Sequence, residues 1–195
     1  MEDLRVCFLG DSLTFGQGDA TGQSWPSRVL AAALAAGHNL TVYNLGVRRD
    51  TAAQIARRAK AETDARFGYG DRKAVVFSFG ANDLLLERPL EETLEAFDAL
   101  LEWSLAEGYA AFALPPPTLV DGAPRTKAMT DAFGEISARL HVPFLDTRSA
   151  GVDWTLWWAE ARAGDGLHPG AGAYASMAAA FVAWPAWQAW LKGEA

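Results

Sequence analysis

Cysteine is almost missing from this chain of 195 residues: Cys7 stands alone, so no disulfide can close within one molecule and an oxidising compartment is not required. Cys7 lies in the first apolar run and reads as a small core residue. Positive charge is also in short supply. Seventeen basic residues against twenty-four acidic ones leave a formal net charge of −7, the wrong balance for a surface that tracks phosphates, so nucleic acid is not an expected partner. The start, Met1-Glu2-Asp3-Leu4-Arg5, lacks the basic opening and long apolar region of a secretory signal, which points to a cytoplasmic protein. Between Gly166 and Leu191 there is no Asp, Glu, Lys or Arg, but Pro169, Pro185 and three glycines interrupt the stretch, so it reads as a buried terminal helix with no transmembrane segment. Gly16-Gln17-Gly18 with Gly22 has the wrong spacing for a dinucleotide fingerprint, and neither a Gly-Lys-Ser/Thr phosphate loop nor a Gly-x-Ser-x-Gly elbow occurs.

Half of the residues are apolar, enough for one full core, and no repeat, linker or low-complexity tract divides residues 1–195. Short, nearly continuous apolar runs predict strands over Leu4–Leu9, Leu40–Leu45, Ala74–Phe79, Tyr109–Leu114 and Val142–Leu145. Helical spacing between them predicts helices over Ser24–Ala36, Thr51–Ala65, Leu90–Ala106 and Lys127–Leu140, with a last one over Pro169–Trp184. Strands apolar on both faces that alternate with helices imply an α/β protein: a three-layer α/β/α sandwich around a five-stranded parallel sheet. In such sheets ligands bind beyond the carboxyl ends of the strands, so the residues just after each strand carry the functional information.

Those residues form a coherent set. Ser12 follows the first strand, Gly46 the second, Asn82 and Asp83 the third, and Pro115 to Pro117 the fourth. The loop after the fifth strand ends in Asp165-Gly166-Leu167-His168-Pro169. Pro169 suits a first helical position and pushes His168 out of the helical region, so the imidazole sits on a turn. Asp165, three residues earlier, can reach one ring nitrogen while the other faces Ser12, which is the geometry that activates a serine nucleophile. A lone serine at a strand-to-helix turn is more often an N-cap than a nucleophile. Asp83 and Asp11 read as structural braces, and His38 and His141 as surface residues away from the rim.

Gly10-Asp11-Ser12-Leu13, Gly46 after Asn44-Leu45, Gly80-Ala81-Asn82-Asp83 and Asp165-Gly166-Leu167-His168-Pro169 resemble, in order and approximate spacing, the four blocks of the SGNH or GDSL-type hydrolases. The resemblance spans nearly the whole chain. It implies a flavodoxin-like sheet, Ser12 as nucleophile, His168 as base and Asp165 as its orienting partner. It also implies an oxyanion hole from the Ser12 N–H, the Gly46 N–H and the Asn82 side-chain amide. The reaction it implies is cleavage of a small-molecule carboxylic ester, with short acyl groups expected, and it calls for no metal and no organic cofactor. A thioesterase or lysophospholipase would share the same residues. A flavodoxin-like module binding flavin mononucleotide is the alternative from another class.

The second block departs from the family, which often places another glycine soon after the first; here Gly46 is followed by Val47-Arg48-Arg49-Asp50. Two arginines there suit an acidic substrate group, or are simply solvated ahead of a helix. Trp154, Trp157 and Trp158, expected in a loop, could line an acyl or sugar pocket or roof the core. Trp184, Trp187 and Trp190 recur every third residue and could pack on the domain or on a second copy in a homo-oligomer.

Overall fold

The computed structural model describes residues 2–117 and 123–194. Four parallel strands, β1 (Leu4–Gly10), β2 (Leu40–Gly46), β3 (Arg72–Ser78) and β4 (Ala110–Leu114), form one sheet in the order β2-β1-β3-β4. The helices are α1 (Ser12–Phe15), α2 (Trp25–Ala35), α3 (Ala52–Phe67), α4 (Ala81–Leu85), α5 (Leu90–Ala106), α6 (Ala123–Arg139), α7 (Trp154–Ala163), α8 (Ala171–Val182) and α9 (Pro185–Lys192). Central β1 starts the register for both neighbours, pairing Gly10 with Gly46 on one side and with Ser78 on the other. Three strand ends therefore stop level with one another, and the segments that follow them share one rim.

Side chains alternate across a strand, and the sheet sorts them into two cores. Leu4, Val6, Phe8, Val76 and Phe112 meet Trp25 and Val29 of α2, Phe181 of α8 and Trp187 of α9. Cys7, Leu9, Val75, Phe77 and Ala113 meet Ile55 of α3, Phe97 and Leu101 of α5 and Phe133 of α6. Each fully buried Phe or Leu contributes about 1.5–3 kcal/mol relative to exposure. Burial on both faces therefore outweighs intrinsic strand preference, whose whole scale spans about 1 kcal/mol. Burial pushes the Cys7 thiol up to about 12, as befits a packing residue. Local signals set the helix starts: Ser24 accepts the Ser27 N–H ahead of α2, and Thr51 with Gln54 makes a capping box for α3.

The sheet has four strands where the sequence predicts five. Val142–Leu145 reaches β4 through a single bridge, Ala113 with Phe144, held by Ala113 N–H to Pro143 O at 3.1 Å and Leu145 N–H to Ala113 O at 2.9 Å. Pro143 has no N–H to give a ladder, which keeps this segment from extending as a strand. The stretch predicted as loop around Trp154 is instead α7, capped by Asp153, whose Oδ1 accepts the Leu156 N–H at 2.9 Å. The predicted last helix, Pro169–Trp184, forms as α8, and a further helix not predicted, α9, follows it with Pro185 at its first position. No described helix is long and apolar enough to cross a membrane.

Candidate active site

The chain leaves β1 at Gly10 and turns at once into α1, a single helical turn whose first residue is Ser12. Asp11 caps that turn, accepting the Leu13 N–H on Oδ1 at 2.9 Å. The Thr14 hydroxyl donates to Ser78 O at 3.1 Å, pinning the turn to β3. Ser12 is 6 % exposed, so its hydroxyl sits at the floor of the rim. As the first helical residue it has no intrahelical acceptor for its own N–H.

His168 arrives from the far end of the sequence. Its Nε2 lies 2.8 Å from Ser12 Oγ, and its Nδ1 lies 2.6 Å from Asp165 Oδ2, although 156 residues separate the serine from the histidine. A carboxylate can only accept, so the ring proton belongs on Nδ1, and Nε2 is left to accept the Ser12 hydroxyl proton. Asp165 Oδ1 also accepts the N–H groups of Leu167 and His168, at 3.0 and 2.9 Å. Burial works to raise the Asp165 carboxyl, but the His168 N–H and ring and the Leu167 N–H outweigh it and bring it down to about 2. The group facing the imidazole is thus a carboxylate throughout the neutral range.

Two contacts that the sequence does not announce hold this loop. Glu160 of α7 extends its carboxylate to the N-terminus of α8, where Gly170, Gly172 and Ala173 donate their N–H groups at 3.0, 3.1 and 2.9 Å. Gly170, the N-cap residue of α8, has no side chain for the task, so Glu160 supplies the cap and a negative charge at the positive end of the helix. The Tyr174 hydroxyl donates to Gln17 O at 2.8 Å, tying α8 to the segment that follows the Ser12 turn.

The opposite wall comes from β2 and α4. Asn82 Nδ2 donates to Asp50 O at 2.9 Å, which uses one of its two amide hydrogens. Asp83 braces the wall: its carboxylate accepts the Ala52 N–H at 3.0 Å and the Thr93 hydroxyl at 3.2 Å, and burial raises its pKa. Gly46 approaches so closely that an added Cβ would lie 2.2 Å from Phe15 N and 2.8 Å from Asp11 O. Its own N–H donates to Asn44 Oδ1 at 2.9 Å, while Asn44 Nδ2 reaches Thr14 O and Ser24 Oγ, both at 2.9 Å. In this structure, then, Gly46 gives its N–H to Asn44, and Asn44 stitches the second block to the Ser12 turn. A polar residue near the end of an otherwise apolar strand was the available signal for Asn44.

For the tryptophans, the sequence left a pocket, the core and a second copy open, and the structure packs all six in or against one core of this chain. Trp157 is 1 % exposed and packs on Tyr174 with ring centres 5.6 Å apart, so it roofs the core. Trp187 and Trp190 are buried against Phe112 of the same chain. His38 and His141 sit at the other ends of their segments, just before β2 and Val142. Among the described residues no group of three or more His, Cys, Asp or Glu is placed to hold a metal ion.

A profile of the GDSL-like Lipase/Acylhydrolase family matches residues 8–175. No curated protein sequence matches the chain. Among solved structures, an acetylxylan esterase from Geobacillus stearothermophilus superposes with a TM-score of 0.78 at 18% identity, covering 92% of this chain and 94% of that one. A protein assigned to the G-D-S-L lipolytic family from Desulfitobacterium hafniense DCB-2 gives 0.75 at 21% identity, with 91% and 98% covered. The psychrotrophic esterase EstA from Pseudoalteromonas sp. gives 0.72 at 21% identity, with 90% and 93% covered. At these identities the structural likenesses speak for the fold, while the profile spans all but the first few residues and the final helices. The chain belongs to the GDSL-like lipase/acylhydrolase family and is a GDSL-type ester hydrolase.

Proposed function

We propose that this chain is a serine esterase that cleaves short-chain carboxylic esters through an acyl-enzyme on Ser12. The observation that carries the reading is the unbroken hydrogen-bonded line Ser12 Oγ, His168 Nε2, His168 Nδ1, Asp165 Oδ2, with links of 2.8 and 2.6 Å. Ser12 Oγ attacks the ester carbonyl as its proton passes to His168 Nε2, and the Asp165 carboxylate steadies the imidazolium. The tetrahedral oxyanion takes the Ser12 N–H and the second amide hydrogen of Asn82. Fixed donors of this kind favour the tetrahedral state over the flat ester. The Gly46 N–H joins that pocket only on releasing Asn44 Oδ1. Collapse breaks the acyl–oxygen bond, the leaving alcohol takes the proton from His168, and water repeats the sequence on the acyl-enzyme to release the acid. The same reading takes the helices on the two faces of the sheet as the outer layers of a three-layer, flavodoxin-like sandwich.

The small-molecule ester is tested by measuring kcat/KM on 4-nitrophenyl esters of two to twelve acyl carbons, beside the matching thioesters. The reading requires turnover that is greatest at the short end and greater for oxygen esters. A rising preference for long chains, or for thioesters, would replace the substrate class while leaving the site.

A further inference from the structure

One charged element on the rim has no part in the reaction just described. The segment after β2 closes a β-turn over Val47 to Asp50, with Asp50 N–H to Val47 O at 3.3 Å. Its frame is fixed from both sides. Val47 N–H and Arg58 Nη2 both donate to Gly10 O, at 3.1 and 3.0 Å, two residues before Ser12. Arg58 Nε binds Asp50 Oδ2 at 2.7 Å, and Asp50 O takes the Asn82 amide. The turn therefore rides directly on the strand end that leads to the nucleophile and on the residue proposed to hold the oxyanion.

At the tip stand Arg48 and Arg49, both exposed, with no hydrogen bond or ion pair to any described residue. Arg49 adopts φ 70°, the left-handed region that favours glycine. It occupies the third position of the turn, where glycine or asparagine is the usual choice. A solvated arginine needs no such position, and a glycine there would relax the backbone. A side chain kept at a strained position beside a reaction site points to use of that side chain. The charges also stand out against their background, two uncompensated guanidinium groups on a chain of net charge −7.

We infer that Arg48 and Arg49 select esters that carry a second, ionised acidic group, binding that carboxylate while its ester carbonyl lies at Ser12. The inference rests on the esterase reading and adds the substrate class to it. A guanidinium suits this task because its planar donor fork matches a carboxylate and stays charged at any working pH. On an acidic protein the same pair also gives an incoming anion a local positive target that salt weakens.

The test uses matched esters that differ only in charge: 4-acetoxybenzoate against its methyl ester, with the charge on the alcohol side, and the mono-4-nitrophenyl ester of adipic acid against that diacid's mixed methyl 4-nitrophenyl ester, with the charge on the acyl side. The ratio of kcat/KM, anionic over neutral, is measured for the parent and for the Arg48→Gln/Arg49→Gly double variant. In the parent at least one pair should favour the anion, and the double variant should lower that ratio about fivefold, the upper scale of an ion pair open to solvent. Raising the ionic strength to about 0.5 M should lower the ratio in the parent and leave it flat in the variant. Arg49→Gly alone should melt no lower than the parent, since it relieves the left-handed arginine, yet should lose part of the preference. Equal ratios in parent and double variant, with good turnover of the neutral esters, overturn this inference alone. If neither the anionic nor the neutral member of any pair is hydrolysed, the esterase reading fails and this one falls with it.

Discussion

Glu160 occupies the space in which a side chain on Gly172 would have to lie: a Cβ added to Gly172 would sit 2.7 Å from Glu160 Oε1. The carboxylate thus reaches three backbone N–H groups only because α8 begins with so little side-chain bulk. Since His168 and Pro169 lead straight into that end of α8, the cap also fixes where the imidazole stands. Glu160→Gln removes the charge and one acceptor. It should lower stability to urea by about 1–2 kcal/mol, the value of a cap with its dipole contribution. It should also lower kcat about tenfold with KM little changed, through loosened geometry. Gly172→Ala should do the same from the other partner. Unchanged kcat in a folded Glu160→Gln variant would confine the residue to helix stability.

Asp11 makes a prediction about pH. Burial, reinforced by the negative charges of Asp83 and Asp50, raises its carboxyl to about 7 against the opposing N–H groups of Leu13 and of Asp11 itself. Its Oδ2 is buried with no hydrogen-bond partner among the described residues, an environment that favours the protonated acid. An acid held above its unfolded value favours the fold while protonated. That contribution is complete below about pH 4 and is lost as pH rises through about 7. An amide at this position carries no charge and keeps the acceptor for Leu13, so Asp11→Asn should be more stable than the parent at pH 8, by on the order of 2 kcal/mol, with the gap narrowing toward pH 5. Urea denaturation of both proteins across this range decides it; a pH-independent gap would contradict the assignment.

Asn82 is engaged by Asp50 O through one of its two amide hydrogens. On the oxyanion role proposed for it, Asn82→Ala should reduce kcat by about 10² to 10³ and leave KM close to the parent's, because such a donor acts on the oxyanion and not on the bound ester. A loss confined to KM would move Asn82 from transition-state stabilisation to ground-state binding.

Much of this arrangement is legible in the sequence because the strands are short, mostly apolar runs whose ends share one rim, with Ser12 just after β1 and Asn82 a few residues after β3. Asp165 and His168 lie far from any strand end and are legible only through their spacing and Pro169, and the family match decides between the hydrolase and the flavin-binding module that the strand pattern alone left open. The loss of the fifth strand was harder to read: Val142–Leu145 has strand composition, and only the missing N–H of Pro143 limits it to a bridge. Helix α7 stands where a loop is expected, and of the pocket and core placements that its tryptophans leave open, Trp157 takes the core, facing it at helical spacing. Glu160 carries no local signature and Asn44 shows only as a polar residue in a mostly apolar strand, since the backbone of Ala173 and of Thr14 that they reach is brought to them by the folded chain.

The most direct test of the central claim is the site and consequence of covalent labelling by a 4-nitrophenyl organophosphonate, read by peptide mass spectrometry beside ester turnover. The account predicts one adduct, on the peptide carrying Ser12, with turnover lost in step. It predicts no adduct and no turnover in Ser12→Ala, whose circular dichroism should match the parent's. A folded Ser12→Ala protein that still hydrolyses esters, or a parent labelled on any other serine, would contradict it.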